Sequence, residues 1–126
     1  MIKREKIIVT VGEFDPLSKE ELDYLKRCRS KGDLLIVGVH SDMWMQWCRG
    51  SFFQNFKTRR AIIDSMEIVD ETFEFDDSDG TVCNLLQVVK LCFPDAKITY
   101  VSEEDVKDMP ESKIKGIKFE TMKQEN

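Results

Sequence analysis

Two short apolar runs constrain this chain more than any other feature. Residues 6–11 (KIIVTV) and 34–39 (LLIVGV) are rich in β-branched side chains and show no polar alternation. That is the pattern of strands buried on both faces of a parallel sheet. Between them Leu22, Leu25 and Cys28 recur at helical spacing over residues 18–30, and Gly32-Asp33 ends that helix. Strand, helix and strand then form a right-handed βαβ unit. The alternation continues. The sequence predicts a short helix over 42–48 and a loop over 49–57. A helix over 58–69 follows, with Thr58 as a possible cap and Ile62, Ile63, Met66 and Val69 facing inward. Then come a strand at 72–75, a turn at 76–80 with Asp79 capping a helix over 81–92, a strand at 97–101, an edge strand at 116–121 and a frayed tail over 123–126. The whole chain, 1–126, reads as one α/β domain of three layers around an open parallel sheet.

Composition removes several functional classes. At 126 residues the chain can bury a core without disulfide or metal staples. No apolar run approaches the roughly 20 residues of a membrane span. The basic start at residues 1–6 leads directly into a strand and is not read as a signal peptide. Cys28, Cys48, Cys83 and Cys92 form no C-x-x-C pair and His40 is the single histidine, so no metal site is expected. Scattered cysteines suit a reducing cytoplasm. The net charge of −5 disfavours nucleic acid as a partner. The DDSDG turn at 76–80 fails as a calcium loop, because Phe75 and Leu86 fall where that loop needs acids.

In open parallel sheets ligands sit beyond the C-terminal strand ends. That rule draws residues 12–18, His40-Ser41-Asp42 and residues 101–105 to one crevice. The first of these reads Gly12-Glu13-Phe14-Asp15-Pro16-Leu17-Ser18-Lys19-Glu20-Glu21. It resembles the Gly-x-Phe-Asp-x-x-His-x-Gly-His loop and helix that opens the cytidylyltransferase family of nucleotidylyltransferases, of the glycerol-phosphate and ethanolamine-phosphate type. LLIVGVHSDMW is similar to that family's Val-Gly-Val-x-(Ser/Thr)-Asp segment, and FKTRRAIIDSMEIVDETFEFDD to its Glu-Arg helix and following strand. The similarity runs through nearly the whole chain in order.

The resemblance implies a Rossmann-like nucleotidylyltransferase fold and transfer of a nucleotidyl group from CTP or ATP, with Mg2+, to a phosphorylated acceptor. It implies that backbone amides of Gly12, Glu13, Phe14 and Asp15 and the next helix N-terminus hold the phosphates. Two histidines then stabilise the charge that grows on them. Here the chain departs: Ser18 and Glu21 stand at the two catalytic histidine positions and Glu20 at the glycine. Ser102-Glu103-Glu104-Asp105-Val106 replaces an Asn-Gly-Gly-Asp-Arg-like loop, and the sequence stops before a terminal phosphate-contacting segment is expected. A carboxylate repels a triphosphate and cannot replace an imidazole. Ser18 and Glu21 do fit a capping box, with Leu17 and Leu22 as its hydrophobic staple.

Other candidates follow. His40 is the sole plausible general base, with packing as its alternative. Arg49 and Arg59 match places where the family keeps basic residues near the nucleotide, although Thr58 replaces the family's glutamate; Arg60 reads as a solvated helix residue. Met43, Trp44, Met45, Trp47, Phe52, Phe53 and Phe56 crowd a short segment. They serve either as core or as a protein interface through Trp44, Trp47, Phe52 and Phe53, and in the family that region lies near a homodimer contact. The expectation is a catalytically degenerate member that works by binding a protein partner, a second copy or a nucleotide. The alternative is an active nucleotidylyltransferase rebuilt on His40, Arg49 and Arg59 with Mg2+.

Overall fold

All five strands of the sheet run parallel, in the order β3-β2-β1-β4-β5. They are β1 (Lys6–Gly12), β2 (Leu34–Val39), β3 (Glu71–Phe73), β4 (Lys97–Ser102) and β5 (Ile117–Thr121). Helices α1 (Lys19–Arg29), α2 (Asp42–Arg49), α3 (Phe56–Asp64) and α4 (Cys83–Cys92) and a 3-10 turn at Pro110–Lys113 connect them. This computed structural model describes residues 5–125. Residues 1–4 of the basic start and Asn126 lie outside them.

Both faces of the sheet are covered, as the unbroken apolar runs require. On one face Ile8, Leu35, Val37 and Val101 pack against Tyr24, Leu25 and Cys28 of α1 and Ile63 of α3. On the other, Ile7, Val9, Ile36 and Ile98 meet Leu85, Leu86 and Val89 of α4. The period of two along each strand sends neighbouring residues to opposite layers.

The β1–β4 pairing runs from Lys6↔Lys97 to Val9↔Tyr100 and stops there. β1 continues beside β2 to Gly12↔Val39, and β4 beside β5 to Ser102↔Thr121. The two strands therefore part at the point where chain order reverses, which is where such sheets form a crevice. The Thr10 hydroxyl donates to the Val101 carbonyl at 2.9 Å across the opening.

Several boundaries differ from the sequence expectation, each for a local reason. The helix expected over 58–69 is α3, which starts at Phe56 because Asn55, not Thr58, is its cap: the Asn55 side chain accepts the Thr58 N–H. It ends at Asp64, so Val69 is buried from a turn, and Ile62 is 37% exposed rather than inward. The helix expected over 81–92 begins at Cys83. Asp79 accepts from the N–H and hydroxyl of Thr81 and so closes the preceding turn instead of capping α4. Leu91 is 82% exposed. The tail through residue 125 is tied down, contrary to the fraying expected: the Gln124 backbone and side-chain nitrogens donate to Glu103 at 3.1 and 3.2 Å, and Arg27 donates to the Lys123 carbonyl.

Candidate functional site

The parted ends of β1 and β4 open into a cleft of about 360 Å³. Gly12, Glu13 and Phe14 from the first loop, His40 from the end of β2 and Arg49 from the end of α2 all line it. Gly12 is required by a close approach: a Cβ there would stand 2.5 Å from Phe14 Cζ. Phe14 itself has a left-handed φ of 53°, a strain of about 1–2 kcal/mol that burial of its ring offsets.

At the α1 N-terminus the capping box is complete. Ser18 Oγ accepts the Glu21 N–H at 3.1 Å and Glu21 Oε1 accepts the Ser18 N–H at 3.0 Å. Glu21 Oε2 also accepts the Phe14 N–H at 3.3 Å. One carboxylate thus takes up backbone donors from both the first loop and the helix start.

The other sequence candidates separate into two groups. Glu13 accepts from Arg49 Nε at 3.0 Å and Trp44 Nε1 at 3.3 Å, so the Arg49 guanidinium reaches the cleft already paired. Asp15 and Arg59 are not among the lining residues. Asp15 holds the Phe53 and Gln54 N–H groups at 2.7 and 2.6 Å. Arg59 is completely buried. Its Nε donates to the Gln54 carbonyl, one terminal nitrogen to the Glu13 and His40 carbonyls, and the other to Asp42 Oδ1, all within 2.8–2.9 Å. It ties the loops after β1 and β2 to α3 with four of its five N–H donors, and its burial keeps it from a ligand phosphate in the cleft. Arg60 donates to Thr72 on β3 at 3.1 Å.

His40 lies beneath Trp44, with ring centroids 4.0 Å apart and planes 9° from parallel. Its Nδ1 is 2.9 Å from Asp77 Oδ2, and Asp77 also accepts from the backbone and hydroxyl of Ser41 at 2.9 and 2.7 Å. Burial pushes the His40 pKa below its ordinary value, against the opposing pull of Asp77. Burial works to raise Asp77, but its donors from Ser41 and His40 prevail and hold it below the usual carboxylate range. The pair is therefore a neutral imidazole donating Nδ1–H to an ionised carboxylate, with Nε2 as the basic nitrogen. The unfolded chain takes up a proton on His40 near pH 6.5, and the folded protein only at a lower pH. The unfolded state binds more protons in that window, so stability falls as pH drops below about 6.5. Urea midpoints measured between pH 7.5 and 5 should show this decline, and His40→Gln should flatten it.

The aromatic segment divides as well. Trp44 and Phe52 are half-buried, whereas Met43, Trp47 and Phe53 are 76%, 68% and 78% exposed. Met43 and Trp47 share one face of α2 and border a second cavity of about 590 Å³ with Phe75 and Asp76. No group of three acidic, histidine or cysteine side chains is placed to hold a metal among the described residues. Nor is any helix among them long and apolar enough to cross a membrane. The cysteines are all free.

Three residues of this region escaped the sequence reading. Asp77 was legible only as part of a turn, since its partners lie 36 and 37 positions away. Tyr24 lacked the aliphatic signature of the α1 core stripe, and Glu111 sits in a segment with no periodic signal. Both face the cleft although buried.

Comparison with known proteins agrees with this geometry. The family model described as Cytidylyltransferase-like matches residues 9–123. The Bifunctional protein HldE of Helicobacter pylori is 33% identical over 91 residues, covering 71% of this chain and 19% of that protein. The HldE of Pseudomonas putida is 35% identical over 89 residues, 69% of this chain and 18% of that one. The chain thus spans about a fifth of the length of these curated relatives. Among solved structures, a lipopolysaccharide core biosynthesis protein from Thermoplasma volcanium superposes with a TM-score of 0.76 at 19% identity, covering 97% of this chain and 99% of that one. A putative nicotinate-nucleotide adenylyltransferase from Vibrio parahaemolyticus gives 0.67 at 15% identity, over 97% and 76%.

Proposed function

The chain belongs to the cytidylyltransferase-like family, and from that premise we propose that it acts by binding rather than by nucleotidyl transfer. The observation that carries this reading is the Glu21 carboxylate on the Ser18 and Phe14 amides. In a helix N-terminus open to phosphate those donors and the helix dipole would face the ligand. Here an internal anion takes them. A triphosphate would have to displace it against charge repulsion and break a cap worth about 1 kcal/mol. Ser18 offers no imidazole to share the phosphate charge, Arg59 is sealed inside the fold, and Arg49 is paired with Glu13. The exposed Met43 and Trp47 give a binding role a surface for a protein partner, and sedimentation tests the case in which that partner is a second copy. The free cysteines suit a reducing compartment such as the cytoplasm.

The experiment is an assay of pyrophosphate release from CTP and from ATP, with Mg2+ and phosphorylated alcohol acceptors. The expected result is no release above the uncatalysed background. The His40–Asp77 pair favours a second reading, because an oriented neutral imidazole at a cleft wall is the arrangement of a general base. On that reading pyrophosphate is released and His40→Gln abolishes the release with little change in melting temperature.

A further inference from the structure

We propose that the cleft between β1 and β4 binds a small organic cation, a primary ammonium ion on a short carbon chain, in place of a nucleotide. The inference rests on the binding reading above and names the ligand class for the same site. Five acidic side chains line the cleft (Glu13, Glu21, Glu103, Glu104 and Glu111) against the single guanidinium of Arg49. Acidity alone does not make a site. The wall adds two buried polar side chains, each with an oxygen that receives no donor. Glu111 is 4% exposed; its Oε2 accepts the Val82 N–H at 3.2 Å, while its Oε1 has no hydrogen-bond partner. Tyr24 is 5% exposed; the Thr10 hydroxyl close by gives its proton to Val101, so the Tyr24 oxygen receives no donor.

Buried polar atoms are normally satisfied, and an orphaned carboxylate oxygen is the more costly kind. A ligand ammonium would supply what these atoms lack, N–H donors for Glu111 Oε1 and the Tyr24 oxygen, and a charge that offsets the carboxylates. The electrostatic environment is shared across the wall. Burial first, then Cys28, raises the Tyr24 pKa against the Thr10 hydroxyl, with Glu103 adding less; burial first, then Glu111 and Glu104 among the carboxylates, raises that of Tyr100. Geometry separates an organic cation from a metal ion. No three of the described acidic groups converge closely enough to chelate one, so the charge is spread over a length that an extended cation can bridge. Tyr24, Tyr100 and Trp44 line the same space and add aromatic surface for the methylenes of such a ligand.

Calorimetric titration at low salt tests this with 1,4-diaminobutane, and with n-butanol and 4-hydroxybutyrate as uncharged and anionic controls. Diaminobutane should bind and the controls should not. Glu111→Gln should weaken binding by about tenfold, the loss of one charge-assisted hydrogen bond. Tyr24→Phe, which removes one acceptor oxygen from the wall, and Glu104→Gln on the exposed rim keep the test valid should Glu111→Gln not fold; each should weaken binding by about threefold. Absence of diaminobutane binding, or equal affinity in all three variants, overturns the inference. MgCTP or MgATP displacing the diamine would instead overturn the reading beneath it.

Discussion

Arg59→Met should lower the unfolding free energy by about 3–5 kcal/mol, the usual loss when one partner of a buried charged network is removed. Methionine approximates the aliphatic volume but donates nothing. The Gln54, Glu13 and His40 carbonyls would lose their donors at 2.8–2.9 Å, and Asp42 would lose its ion pair. At this chain length the fall in Tm should be about 10–20 °C. A urea midpoint that drops with an unchanged slope would assign the loss to the native state. Arg59→Lys should recover only part of it, because an ammonium cannot span acceptors that a planar fork reaches together. A change under 1 kcal/mol in Arg59→Met would contradict the structural role. The same substitution bears on function: a fully buried guanidinium that spends four of its five donors inside the fold cannot also clamp a phosphate in the cleft.

The second large effect is expected at Asp77. Asp77→Ala removes the acceptor of His40 Nδ1, the Ser41 N–H and the Ser41 hydroxyl at once. Its carboxylate is almost wholly buried, and the cost should be about 2–4 kcal/mol. Asp77→Asn keeps one acceptor oxygen in place and should cost less. The His40 ring would also lose the group that favours its protonation, so its pKa should fall further, which NMR titration of the ring protons reads directly. An unchanged stability in Asp77→Ala would show that the clasp between the β2 end and the turn before α4 does not hold the cleft wall.

Much of the frame was legible because it is local. The KIIVTV and LLIVGV runs announce buried parallel strands, and Ser18 to Glu21 announces its capping box within four residues. Boundaries failed where a neighbouring polar residue competed: Asn55 took the cap assigned to Thr58, and Asp79 closed a turn ahead of α4. The site was less legible because its decisive contacts are long-range. Nothing near Arg59 in sequence says that it will be sealed under the His40 and Glu13 carbonyls, 19 and 46 positions away. Nothing near Glu111 says that it will cap Val82 and face the cleft. Asp15 matched a family motif, yet its carboxylate anchors the Phe53 and Gln54 backbone, a contact set by how α3 is entered.

The proposed closure of the family's phosphate site by the Glu21 carboxylate rests on its bonds to the Ser18 and Phe14 amides. Thermal unfolding with millimolar MgCTP and MgATP tests it most directly. A ligand present at 100 times its dissociation constant stabilises by about 2.7 kcal/mol, a rise of about 10 °C in a domain of this size. With Glu21 on those amides, no rise is expected with either nucleotide. A rise of that order with one of them, lost when the cleft is altered, would show that the phosphate site is still open.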